Sequence, residues 1–486
     1  MRGMDRGEEN AYLTVFLALC LAVILSLFLV LLDGARRNGV RLEAECVADI
    51  GLQSILAEYH RELMRQYNLF AIDSSYGTAL CSKQNTEAHL RRYLEKNLSY
   101  DDIFLSGLFY RDFLSLALEK AELTGVSILT DQKGEVFRRC AVNAVKADVG
   151  LGLLEELKGW LQTIEVNGLE EGGKEEEKYA RQLEEYEIPE AEIVETEWGI
   201  LDPVNPTKEL EEKKKLGILK LVTQDEEALS HNRIQTQNLV SERIRQDKVN
   251  LGNHKLVEQS GLEELAERFL FQEYLLRYMG RYGAEEDEDV LQYQIEYLIA
   301  GNAGDIENLK SVANRICLVR EAANALYLMN SDMKRQEIKL AAEVICTVVM
   351  LPELAPVLEA VILLGWAYAE SIYDVQSLLA GGRVPLLKDD DSWHYGLAAA
   401  LQGDFREKPK EGQGLSYEDY LRIFLMLTDI DTVTERAMNM VEADIRSTVG
   451  NQAFRLDGCY AAVEARIEIG SRHGCRYEIT RTVSYD

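Results

Sequence analysis

The chain has 486 residues, enough for two or three domains, and with 47% apolar and 28% charged residues it has the composition of a folding protein. Its 83 acidic against 53 basic residues leave a formal charge of −30. A field of that sign repels phosphate backbones, so nucleic acid is excluded as a partner.

Ala11 to Leu32 is a 22-residue stretch without a charge, and fifteen of its residues are Leu, Ile, Val or Phe. As a helix it spans roughly 33 Å, against a bilayer core of about 30 Å. It is too long for the apolar part of a cleaved signal, and Leu31-Leu-Asp-Gly-Ala35 is a poor cleavage site. The expectation is a permanent anchor, with Ala11, Tyr12, Phe16, Leu21, Phe28 and Leu32 among its lipid-facing residues. Arg2 and Arg6 on one side balance Arg36, Arg37 and Arg41 on the other, so flanking charge does not set the orientation.

Beyond the anchor, small or apolar residues recur at Val40, Ala44, Val47, Gly51, Ile55, Tyr59, Leu63, Tyr67 and Phe70. Steps of three and four predict a long helix with one buried stripe, bent at the lipid boundary by Asp33-Gly34. A strand is predicted over Glu122–Thr130, closed by the turn Asp131-Gln-Lys-Gly134. Residues 169–197 carry twelve Glu and three basic residues, which reads as a solvated linker or exposed helix. Residues 261–350 have helical patterning, strongest at Gln292–Ile299 and Leu309–Met329, and Tyr417–Ile445 reads as a helical pair.

The apolar region Leu340–Ala380 is interrupted by Glu343, Pro352, Glu353, Pro356, Glu359, Glu370 and Asp374. Charge is costly in lipid, so two buried helices joined at Pro352–Pro356 are expected there, not a second span. At the far end, Val463 to Ile469 and Tyr477 to Tyr485 alternate apolar with polar residues about the loop Gly470-Ser-Arg-His-Gly474. That predicts a β-hairpin, with Ile469 placed opposite Cys475 and Cys459 too far from Cys475 for a disulfide.

The fold class is therefore α+β. A transmembrane helix continues into a long helix packed on a small antiparallel sheet, and the middle of the chain is large and mainly helical. The expected divisions are 1–34 for the flank and anchor, 35–165 for the first half of a membrane-proximal α+β part, and 166–260 for an acidic, partly ordered segment. A helical domain follows over 261–450, and 451–486 is the hairpin that completes the α+β part.

Several segments together carry a resemblance. They are Tyr12-Leu-Thr-Val-Phe-Leu17, Gln53-Ser-Ile-Leu-Ala-Glu-Tyr59, Tyr67-Asn-Leu-Phe70, Asp305-Ile-Glu-Asn-Leu-Lys310, Trp366-Ala-Tyr-Ala-Glu370, Leu415-Ser-Tyr-Glu-Asp-Tyr-Leu421 and the C-terminal hairpin. The chain resembles an uncharacterised family of single-anchor membrane proteins of Gram-positive bacteria, associated with tight-adherence (Tad) pilus and type IVb secretion loci and similar to the TadE/TadG group. The resemblance implies an outward-facing, pseudopilin-like structural or assembly role in the cell membrane, with other pilus or secretion subunits as partners. It implies no activity. Arg6-Gly7 stands where a prepilin peptidase would cut, but the fifth position after the cut is Tyr12 where pilins carry Glu, so the uncut anchor is favoured and Gly7 is only a candidate processing site.

Motifs for chemistry are missing. The eight cysteines include no C-x-x-C pair; their even count in an exported chain invites disulfides, while isolated Cys317 and Cys346 on apolar stripes read as core. The six histidines show no metal-ligand spacing, and Asp389-Asp-Asp391 lacks the spaced ligands of a calcium loop. Phosphate-loop and nucleophile-elbow motifs are absent. No catalytic, cofactor-binding or metal residue is assigned and no cofactor is expected. An assembly protein leads over an envelope hydrolase and over an envelope binding or sensing module.

Overall fold

A computed structural model describes residues 5–78, 80–99, 116–150, 152–171, 179, 194–196, 199–201, 205–223, 226–246, 264–284, 289–403, 405, 412–471 and 474–485. Most of the acidic stretch 169–197 lies outside the described residues. Two compact units divide the chain. One holds both chain ends, Met1–Cys140 and Gly450–Asp486, and the other holds Ala141–Asp247 and Ser260–Val449.

The first unit is α+β. Its helices are α1 (Asp5–Leu56), α2 (Arg61–Tyr67) and α3 (Lys83–Leu98), and α4 (Asp131–Val145) follows β2, with its residues up to Cys140 in this unit and the rest in the second. Its strands are β1 (Ile72–Asp73), β2 (Leu116–Ile128), β5 (Cys459–Ser471) and β6 (Arg476–Ser484); β3 (Val194–Thr196) and β4 (Gly199–Leu201), which belong to the second unit, form a separate two-stranded ribbon. All pairings in the four-stranded sheet are antiparallel, and β5 lies at its centre, with β2 along one edge and β1 and β6 one after the other along the opposite edge.

The predicted stripe covers this sheet. Ala44, Val47, Ala48, Leu52 and Ile55 of α1 share a core with Leu90 and Leu94 of α3, Leu123 and Val126 of β2, and Val463, Ala465, Ile467 and Ile479 of the hairpin. A hairpin alone is marginal in water, and here two helices cover its apolar face. The chain ends meet through side chains as well: the Tyr485 hydroxyl donates to Leu56 O (2.5 Å) and Tyr477 to Arg37 O (3.1 Å).

Three local expectations change. α1 runs through Asp33-Gly34 without interruption, because one glycine costs only about 1 kcal/mol and Arg37 pairs with Asp33 across that turn (2.8 Å). The break comes later, at Ala57–His60, where Tyr59 bridges to Ile72 and the His60 amide donates to Ala71 O (2.9 Å). Leu63 is buried, but beyond the break and outside the Val47/Ile55 core.

The hairpin register is slipped by two residues from the expected one: Ile469 faces Tyr477, Ile467 faces Ile479 and Ala465 faces Arg481. A tighter turn is the reason. The Ser471 amide donates to Cys475 O (2.8 Å), the Gly474 amide to Ser471 O (2.9 Å), and Gly474 takes φ +84°, open to glycine at little cost. A slip of two preserves the faces, so the apolar set stays inward. The strand expected at 122–130 is β2, which starts six residues earlier and is followed by left-handed Gln132, Lys133 and Gly134.

Gly51 of α1 packs directly against Leu94 and Leu90 of α3. A Cβ there would lie 2.6 Å from Leu94 Cδ2 in a fully buried site. Gly51→Val is expected to destabilise this unit by about 1–3 kcal/mol through overpacking, read as faster hydrogen exchange of the β5 amides.

The second unit is helical, comprising α5 (Gly152–Val166), α6 (Lys208–Lys214), α7 (Ile218–Val222), α8 (Val240–Gln246), α9 (Glu264–Tyr278), α10 (Gln294–Ala300), α11 (Asp305–Asn330), α12 (Asp332–Val349), α13 (Ala355–Leu379), α14 (Leu397–Leu401), α15 (Tyr417–Leu427) and α16 (Ile430–Ser447). The pair expected at 417–445 is α15 and α16. Ser416 and Asp419 form a reciprocal cap that starts α15, and the Asp429 carboxylate caps α16. α12 and α13 are the two helices expected in Leu340–Ala380, with the short turn Pro352–Leu354 between them. α13 packs along α11 and buries Ile362, Trp366, Ile372 and Val375.

Candidate functional site

Two features stand apart from ordinary core. The first is the N-terminal part of α1. Tyr12, Phe16, Leu21, Phe28 and Leu32 are all at least half exposed, and no apolar residue between Leu13 and Leu32 is covered by another element. Gly7 and Ala11 lie in the first turns of the same helix. By length and composition this segment is a candidate membrane span. Pro352–Leu379 is much less apolar, though still long and apolar enough to cross a membrane, and it is mostly buried within its unit.

The second feature is a buried charge cluster in the helical unit. Glu370 and Asp374 lie one turn apart on α13, facing inward. Lys388, from the segment after α13, inserts between them: its Nζ contacts Glu370 Oε1 and lies 2.7 Å from Asp374 Oδ1. All three side chains are at most 1% exposed. Arg320 of α11 donates through Nε to Asp374 Oδ2 (2.9 Å), and Asn324 Nδ2 donates to the same oxygen (3.0 Å). The Arg320 Nη1 group reaches Pro385 O (2.9 Å) and Leu386 O (2.7 Å), and Glu370 accepts from the amides of His394 (3.0 Å) and Tyr395 (2.8 Å).

Thus one cluster fastens the whole segment 385–395 onto α11 and α13. Burial by itself would raise the Asp374 carboxyl; Lys388 and Arg320 outweigh it and hold the group below the ordinary carboxylate range. Tyr373, Trp366, Trp393 and Tyr395 wall the cluster with rings. In the sequence, Glu370 and Asp374 argue against a second span. Two acids one turn apart on an apolar helix were also the signal for this cluster, because buried carboxylates require partners.

A further buried acid stands nearby in the chain's order. Glu296 on α10 accepts from the Tyr417 hydroxyl (2.7 Å) and the Tyr282 amide (3.0 Å) through Oε1, while Oε2 has no hydrogen-bond partner among the described residues. Burial pushes its carboxyl up to about 7. The exposed Asp389 is held in a turn by Ser392 and gathers no other acid into a metal site; among the described residues no cluster of His, Cys, Asp or Glu is placed to hold a metal. None of the eight cysteines forms a disulfide, and Cys459 and Cys475 lie at opposite ends of β5.

The architecture is an α+β protein with a long apolar N-terminal helix and a large helical unit. Residues 197–471, more than half of the chain, match the family described as Family of unknown function (DUF5702), and the chain belongs to that family. The matched range takes in most of the helical unit and strand β5 but not α1. No curated protein and no solved structure matches the chain.

Proposed function

We propose that the protein is a membrane-anchored, extracytoplasmic structural or assembly component of a Tad-like pilus or type IVb secretion system in a Gram-positive bacterium. One observation carries the anchoring: the uncovered apolar face of α1 continues in the same helix into the stripe that forms the core of the α+β unit. Fifteen strongly apolar residues favour lipid by several kcal/mol, and the unbroken helix couples anchor to domain without a flexible hinge. The outward orientation and the pilus context rest on the resemblance of the segments quoted above, with other subunits of the apparatus as partners.

The protein is expected in the membrane pellet after alkaline carbonate, and a chain lacking residues 1–34 in the supernatant. Protease added to intact protoplasts should degrade the part after α1. Complete protection of that part would place it in the cytoplasm and end the pilus reading; extraction of the full chain by carbonate would end the anchor.

A further inference from the structure

We propose that Lys388 and Asp374 become joined by an intramolecular isopeptide bond, with Glu370 as the proton shuttle. The bond would be a covalent clamp within the helical unit, and it does not depend on the assembly reading.

The placement of four groups points to this chemistry. An amine and a carboxyl lie 2.7 Å apart with no solvent access, so the encounter term of amide formation is already met. Effective molarities for such fixed pairs reach about 10⁵–10⁸ M. In water, the equilibrium between amine plus acid and amide is held back by the solvent; in a dry site the released water leaves for bulk.

The second group is Glu370, in direct contact with the Lys388 nitrogen and held in place by the His394 and Tyr395 amides. A carboxylate there is positioned to take protons from the amine. The third and fourth are Arg320 Nε and Asn324 Nδ2, which both donate to Asp374 Oδ2 and leave Oδ1 to face the lysine. Two donors on one carboxyl oxygen are the arrangement that stabilises the oxyanion of a tetrahedral intermediate.

The step balances without any co-reactant. Lys388 Nζ, initially the ammonium, passes a proton to Glu370 and attacks Asp374 Cγ. Negative charge collects on Oδ2 between Arg320 and Asn324. Glu370 delivers that proton to Oδ1, and then a second one taken from the nitrogen. The Cγ–Oδ1 bond breaks, Oδ1 departs as water, and an Nζ–Cγ amide remains. One ammonium and one carboxylate are consumed, no group is oxidised or reduced, and Glu370 ends as it began.

The test is mass spectrometry of the purified full-length protein. The intact mass should fall short of the sequence mass by one water. Trypsin cuts after Lys339, Arg383 and Arg406 but cannot cut at an amidated Lys388, so residues 384–406 should be recovered joined to 340–383. Fragmentation should place the link at Lys388 and Asp374. Glu370→Gln and Lys388→Arg should each show the full mass of their own sequence and yield 340–383, 384–388 and 389–406 as separate peptides. Wild-type protein at full mass, with cleavage after Lys388, would overturn the proposal whatever the variants do. A loss of ammonia with the link at Asn324 would overturn the assignment of Asp374.

Discussion

Replacing Arg320 by Met should destabilise the helical unit by about 3–5 kcal/mol, the usual cost of removing one partner from a buried charge network. The guanidinium is fully buried and donates to the Asp374 carboxylate, to the Pro385 and Leu386 carbonyls and to Asn324 Oδ1 (3.2 Å). Met fills comparable volume but donates nothing. Two backbone carbonyls and a carboxylate oxygen then lose partners that water cannot replace without opening the segment after α13. Arg383→Met is the matched control. That side chain is 58% exposed and reaches Gly414 O at 3.2 Å and Asp419 only at 4.0 Å, so its loss should change stability by no more than about 0.5 kcal/mol. Urea unfolding of both variants checks the contrast. Equal midpoints would mean that the segment 385–395 is held by packing alone.

The second large effect is a dependence on pH. Glu296 is fully buried, and its carboxyl sits at about 7 in the fold against 4.5 when exposed. Between those values the folded chain binds more protons than the unfolded chain. The stabilisation is therefore complete below about pH 4.5, declines as pH rises, and is lost above about pH 7. A gap of that size corresponds to roughly 3 kcal/mol. Glu296→Gln keeps an acceptor for the Tyr417 hydroxyl and the Tyr282 amide but does not titrate. The difference between wild-type and variant stabilities, measured from pH 4 to 8, should fall by that amount across the window. A flat difference would mean that water reaches Glu296 and keeps its carboxyl near the ordinary value.

Patterns local in the sequence were legible without coordinates. The stripe from Val40 to Ile55, the alternation in the C-terminal hairpin and the interrupted apolar run at Leu340–Ala380 each report which face of an element is buried, and burial follows from periodicity alone. The candidate span is legible for the same reason, since 22 uncharged residues have one favourable environment whatever the rest of the fold does. Three-dimensional contacts decided the remainder. The break at Ala57–His60 exists because Tyr59 and His60 pair with the chain at Ala71 and Ile72, a demand that helix propensity does not register. The hairpin register turned on a few hydrogen bonds at Gly474, where two alternatives preserve the same apolar face. The cluster of Arg320, Glu370, Asp374 and Lys388 draws its members from positions up to 68 residues apart. Charges so separated carry no mark of their pairing in sequence, because the pairing depends on which helices pack together, and that is settled by the tertiary core.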